Sequence, residues 1–190
     1  MHELRIHGRG GQGTVLACKI LSKALVEEGK YIAGIPAFGF ERRGAPVVAF
    51  LRFDDKEIRA VTNIYHPDYV ICIDPTVANA VDIFAGITEN STLVQATRKP
   101  VDALQVPDAV KTIAVCDAVT LALDVFKRPI TNSIMLGAFA KATGLVSLDS
   151  IKEGLKTANF RDASLADNEK AAELGFENTK VYHRSNGGWA

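Results

Sequence analysis

At 190 residues, with 47% hydrophobic and 23% charged, the chain has the balance of one globular domain and can bury a core without disulfides or metal. Basic and acidic residues both number 22, and this zero net formal charge excludes a global electrostatic grip on nucleic acid. No run of about 18 apolar residues suggests a membrane span, the start has no signal-peptide character, and three scattered cysteines (Cys18, Cys72, Cys116) fit no zinc or disulfide pattern, so a cytoplasmic setting is expected.

Residues 4–7 read as a short strand, followed by Gly8-Arg9-Gly10-Gly11-Gln12-Gly13. Residues 14–28 read as a helix, because Val15, Leu16, Ile20, Leu21, Leu25 and Val26 recur at helical spacing and Gly29 supplies a stop. A second strand at 31–35 ends at Pro36. A loop without hydrophobic periodicity follows: Ala37-Phe38-Gly39-Phe40-Glu41-Arg42-Arg43-Gly44-Ala45-Pro46. Residues 47–53 are a strand, and the Asp54-Asp55-Lys56 turn with alternation over 57–61 predicts a β-hairpin. The apolar run 69–73 reads as a strand covered on both faces. Asp74-Pro75-Thr76 ends it and caps a helix to about residue 84.

Strands at 92–95 and 112–115 flank an irregular stretch, 101–110. Helices are expected from the Asp117 cap to 126, over 134–143 with Gly144 as the stop, from the Ser147 cap to 157, and over 163–175. This alternation predicts an α/β fold, a doubly wound Rossmann-like mixed sheet with a β-hairpin and helices on both faces. The domain is expected over 4–175, with a C-terminal tail, 176–190, packed on a partner.

Gly8-x-Gly10-x-x-Gly13 between strand and helix has the spacing of a dinucleotide loop. Glycine permits positive φ and close approach of a phosphate, and the helix N-terminus offers free N–H groups. A complete dinucleotide site also places an acid after the second strand, about 20 residues on, to hold the ribose. Here that position reads Gly34-Ile35-Pro36-Ala37, and the nearest acids, Glu27 and Glu28, lie on the preceding helix. A tight packing turn, a phosphate or coenzyme-tail site, and a contact for a partner's backbone all stay open. So does a free-standing dinucleotide-binding oxidoreductase. The arginines of Glu41-Arg42-Arg43 suit carboxylate or phosphate, and the neighbouring Phe38 and Phe40 suit an interface.

Together the two stretches resemble the gamma subunit, or gamma domain, of the 2-oxoacid:acceptor oxidoreductases, among them pyruvate:ferredoxin oxidoreductase. The carriers are the G-x-G-G-Q-G loop opening a helix, the second loop of the F-G-x-E-x-R-G type, the strand following Asp68, and Asn132-Ser133-Ile134-Met135-Leu136-Gly137-Ala138 as an N-x-x-x-L-G-A helix. The resemblance spans residues 4 to about 175. It implies an accessory subunit that is not catalytic alone, assembled with alpha, beta and ferredoxin-like subunits. At the level of that complex it implies thiamine diphosphate, Mg, [4Fe–4S] clusters and coenzyme A, acting on a 2-oxoacid. None of these is expected to be held by this chain with certainty. Gly8, Arg9, Gly10, Gly11, Gln12, Gly13, Glu41, Arg42 and Arg43 are the residues expected to meet a coenzyme phosphate or a partner chain. No catalytic or metal-ligating residue is expected. Where the family pattern has Ser or Thr before the Phe-Gly and Pro after it, this chain has Ala37 and Phe40. A more apolar loop fits a bulkier, aryl 2-oxoacid.

Overall fold

A computed structural model describes residues 1–36, 43–60, 62–160, 163–185 and 188–190. Eight strands among them form one mixed sheet: β1 (His2–Arg9), β2 (Tyr31–Pro36), β3 (Pro46–Asp54), β4 (Tyr69–Cys72), β5 (Ser91–Ala96), β6 (Val110–Cys116), β7 (Lys180–Ser185) and β8 (Gly188–Trp189), in the order β2-β3-β1-β4-β5-β6-β7-β8. β1, β4, β5 and β6 run parallel, whereas β3 lies antiparallel between β2 and β1. The helices are α1 (Thr14–Glu27), α2 (Ala118–Phe126), α3 (Asn132–Thr143), α4 (Leu148–Lys156) and α5 (Leu165–Asn178).

Alternation along each strand sorts side chains between two faces. Leu4, Ile6, Leu51, Ile71, Val94 and Ala114 point into one core with the α-helices. That core is sealed by helices in backbone contact. A Cβ at Gly137 of α3 would overlap the carbonyl oxygen of Ala172, and one at Gly175 of α5 would overlap that of Ile134. Val70, Cys72, Leu93 and Ile113 point the other way, into a second cluster roofed by two 3₁₀ turns, Val77–Asn79 and Val101–Ala103, and the chain around them. The mixed sheet matches the expectation. The helical cover is unequal, with the α-helices gathered on one face and single 3₁₀ turns on the other.

Three expectations need correction. The hairpin pairs β2 with β3; residues 57–60 form no strand. Both edges of β3 are already taken, by β2 and β1, so no place is left for a strand after Lys56. The helix expected up to about residue 84 is a single 3₁₀ turn. Asp74 and Asp82 carboxylates accept from the N–H of Thr76 and Phe84, and such local bonds compete with helical ones. Finally, the tail is drawn into the domain: β7 pairs with β6 from Thr112↔His183 to Val115↔Lys180.

Candidate functional site

β1 and β4 are parallel neighbours, and the chain leaves β1 toward one side of the sheet and β4 toward the other. This is the switch point at which α/β sheets collect ligands beyond the carboxyl ends of their strands. The glycine loop sits there. Gly11 and Gly13 have φ of +91° and +79°, and Gly13 is the N-cap of α1 without any side-chain cap. α1 carries no acid in its first turn. A Cβ at Gly13 would lie 2.6 Å from the Asn132 amide nitrogen, so the start of α3 abuts the start of α1. α3 likewise has no side-chain cap and no acid in its first turn. Two helix N-termini, each with partial positive charge, thus meet at one place, although the Ser133 N–H of α3 already donates to Asn132 Oδ1 at 2.9 Å. The hydroxyl of Thr14, 3% exposed, lies beneath Gly8 with no hydrogen-bond partner among the described residues.

The two stretches singled out in the sequence are physically joined. Gly10 N–H donates to Ala45 O at 2.8 Å, and Gly44 N–H donates to Gly10 O at 3.0 Å. Arg9 Nη1 donates to Gly44 O at 3.0 Å, while its Nε and Nη2 donate to Thr76 Oγ1 and O. The stem of Arg43, exposed, passes 3.7 Å from the position of a Cβ on Gly11. Glu41 and Arg42 lie outside the described residues, as do Ala37, Phe38 and Phe40.

Gln12 turns inward rather than toward a ligand. Its Oε1 accepts the Arg9 N–H at 2.8 Å, and its Nε2 donates to Asp74. Asp74, which the sequence offered only as a cap, is the hub. Its carboxylate also accepts from Thr76 N (2.7 Å) and Thr76 Oγ1 (2.6 Å), with Arg9 Nε at 3.8 Å. Burial pushes its pKa up, but the bonds from Thr76 and Gln12 and the charge of Arg9 outweigh burial and hold it below the ordinary value. The signal for Asp74 was its place directly after an apolar strand beside the glycine loop. Thr131 closes the site from below by donating to Ile73 O at 2.7 Å.

The arrangement can do two things chemically. It can bind an anion at the α1 N-terminus through backbone groups and the Arg43 side chain, and it can present a polar edge to another surface. Among the described residues it offers no base beside a nucleophile. The three thiols are buried on separate elements, α1, β4 and β6. Burial pushes Cys18 up to about 11 and Cys72 up to about 12, far from a reactive thiolate. Among the described residues, no group of three or more His, Cys, Asp or Glu is placed to hold a metal ion. None of the described helices is long and apolar enough to cross a membrane.

Residues 3–178 match the family model described as pyruvate ferredoxin/flavodoxin oxidoreductase. The chain belongs to this family. It is 58% identical over 183 residues to the NADH-dependent phenylglyoxylate dehydrogenase subunit gamma of Aromatoleum evansii, covering 96% of each chain. It is 47% identical to the pyruvate/ketoisovalerate oxidoreductases common subunit gamma of Thermococcus kodakarensis, over 96% of this chain and 99% of that one. Among solved structures, the pyruvate oxidoreductase subunit PORC of Thermotoga maritima superposes with a TM-score of 0.81 at 35% identity, covering 95% and 97% of the two chains. The resemblance carried by the paired loops therefore extends along the whole fold.

Proposed function

We propose that this chain is the gamma-type accessory subunit of a 2-oxoacid oxidoreductase complex whose substrate is an arylglyoxylate and whose final acceptor is NAD. The observation that carries the reading is the joined pair of loops at the switch point. Arg9 and Asp74 tie the glycine loop to the chain that precedes β3 and to the chain that follows β4, and so build a polar edge with no base beside a nucleophile among the described residues. The aryl substrate is supported by the 58% identity to a phenylglyoxylate dehydrogenase subunit, against 47% to a pyruvate/ketoisovalerate one, and by the apolar Ala37 and Phe40.

In this reading the decarboxylation, with thiamine diphosphate and Mg, and the electron transfer through [4Fe–4S] clusters take place on partner alpha, beta and ferredoxin-like subunits. The described residues of this chain make no cluster ligand set, its thiols being separate and protonated. The α1 N-terminus does suit a coenzyme A phosphate. Gly11, Gly13 and the first N–H groups of α1 would hold it, Asn132 would flank it, and Arg43 would neutralise it. Coenzyme A, when bound, supplies the thiol that takes the acyl group as a thioester. This chain's part is to orient its tail.

Purification of the native complex, with its subunits and iron content, tests the assembly. Turnover of phenylglyoxylate and pyruvate with NAD tests the substrate. Phenylglyoxylate is expected to dominate, and strict preference for pyruvate overturns the aryl assignment. Arg43→Ala in the complex is expected to raise the KM for coenzyme A about tenfold with kcat held, the size of one lost charged hydrogen bond. An unchanged KM makes Arg43 a plain surface residue.

A further inference from the structure

The thin roof on the second face of the sheet leaves a groove of about 800 Å³ over β5. It exists because the crossovers from β4 to β5 and from β5 to β6 are irregular chain with one 3₁₀ turn each instead of helices. One wall carries Ile83 and Phe84; the other carries Leu104 and Val106. The floor is Leu93 and Gln95 of β5, both buried. Arg98 and Lys99 stand at the mouth, at the carboxyl end of β5.

Each wall is pinned by an arginine that the switch-point site does not use. Arg5, 7% exposed on β1, donates through Nη2 to Ile83 O at 3.2 Å and Ala85 O at 2.6 Å. Arg184 on β7 donates to Val106 O, Pro107 O and Val110 O at 3.0 to 3.1 Å and pairs with Asp108 at 3.0 Å. Its guanidinium lies 4.4 Å from the centre of the Trp189 ring, which packs into the cluster beneath. Walls fixed in this way to the sheet hold the groove open without a ligand, and pre-formed grooves bind at lower entropic cost.

We propose that this groove binds an organic anion with a flat apolar body, the body against Phe84, Leu104 and Val106 and the anionic group at Lys99. The Gln95 amide in the floor is held by its own bond from Nε2 to Ala96 O at 2.9 Å. Asp117, also on the lining, is spent on capping α2 and pairing with Arg98 at 3.1 Å, so it contributes little repulsion. The ammonium of Lys99, by contrast, has no hydrogen-bond or ion-pair partner among the described residues. Both an aryl carboxylate and a purine nucleotide carry this chemistry. Gly11, Gly13 and Arg43 are not among the groove's lining residues, although Pro75 of the lining adjoins Asp74 and Thr76.

The chain's single tryptophan, Trp189, reports on the groove wall. Titration of the full-length chain with benzoate, AMP and inorganic phosphate, followed by Trp189 fluorescence and calorimetry, tests the proposal. Saturable binding of benzoate or AMP with a Kd below about 1 mM is expected, with phosphate at least about tenfold weaker. Which of the two binds tighter identifies the source. Lys99→Ala is expected to weaken binding at least about fivefold, as befits one charged contact. Leu104→Asp should abolish it, and Arg43→Ala should leave it unchanged. No saturable binding of either organic anion overturns the proposal. So does phosphate binding as tightly as AMP, or affinity indifferent to Lys99→Ala and Leu104→Asp.

Discussion

The two faces of the sheet are held by different physics. On the helical face, cohesion comes from apolar side chains and from helices close enough for glycine to be required where they cross. On the other face, around β1 and the irregular crossovers, a smaller apolar cluster is joined by buried or half-buried arginines bonded to backbone carbonyls. Arg5 reaches Ile83 and Ala85, Arg52 reaches Glu3 and Asn63, and Arg184 reaches residues 106–110. The first face tolerates no added volume. The second depends on charge as well, and it is the face on which an irregular roof leaves a groove.

The sharpest way to break the first face is Gly137→Val. The new side chain meets the backbone of α5 at Ala172, which cannot yield without parting two helices. A loss above about 4 kcal/mol is expected, read as a melting temperature lower by about 10 °C or more, or as insoluble protein. An unchanged melt would mean that α3 and α5 slide freely, and the contrast between the faces would fall.

The second face should respond instead to acid. His7, 6% exposed beside Arg5 on β1, has an Nε2 with no hydrogen-bond partner among the described residues. Burial first, and the charge of Arg5 second, push its pKa down to about 4, against a smaller pull upward from Asp82. The unfolded chain takes up this proton near pH 6.5 and the folded chain only near 4. Stability is therefore complete above about pH 6.5 and is lost as pH falls toward 4, by about 3 kcal/mol at most. Urea melts from pH 7 to 4 should show this loss in the native sequence and a flatter profile in His7→Gln. Parallel profiles would remove His7 from the account.

Next in size is Asp74→Ala at the switch point, where the two faces meet. It strips the acceptor shared by Gln12 and Thr76 and leaves Arg9 without its carboxylate, at an expected cost of about 2 kcal/mol in urea unfolding. On the proposed coenzyme A contact, it should also raise the KM for coenzyme A in the assembled complex, because the loop loses its anchor.

How far the sequence made this legible follows the same division. α1, α2, α3 and α4 were readable because helical spacing, Asp117 and Ser147 as caps, and Gly144 as a left-handed stop act locally. The glycine loop and its partner stretch were readable as a pair, although only the structure supplies the bonds between Gly10, Gly44 and Ala45. The second face was not readable. Arg5 and His7 in the sequence look like ordinary polar positions on a half-exposed strand, and their burial depends on chain some 80 residues later. The misplaced hairpin has the same origin. The alternation over 57–61 is real, but strand pairing depends on which edges remain free, and β1 had already taken one side of β3.

The smallest effect is expected at the seam between α2 and the groove, and it separates two contributions that coincide at Asp117. Its carboxylate caps α2 by accepting from Thr120 N at 3.2 Å, and it pairs with Arg98 at 3.1 Å, whose side chain is 62% exposed. An ion pair so open to water is worth less than about 1 kcal/mol, whereas a lost N-cap costs typically about 1. Asn caps nearly as well as Asp but carries no charge. Asp117→Asn should thus cost a few tenths that fade in high salt, and Arg98→Ala somewhat more, because it also removes the bond from Nη2 to Thr120 Oγ1 at 2.7 Å. Asp117→Ala should cost about 1 kcal/mol more than Asp117→Asn, with no salt dependence in the difference. If Asp117→Asn instead cost as much as Asp117→Ala, the charge of Arg98 would be holding α2 in place, and the reliance on arginine would extend across the seam to the helical face.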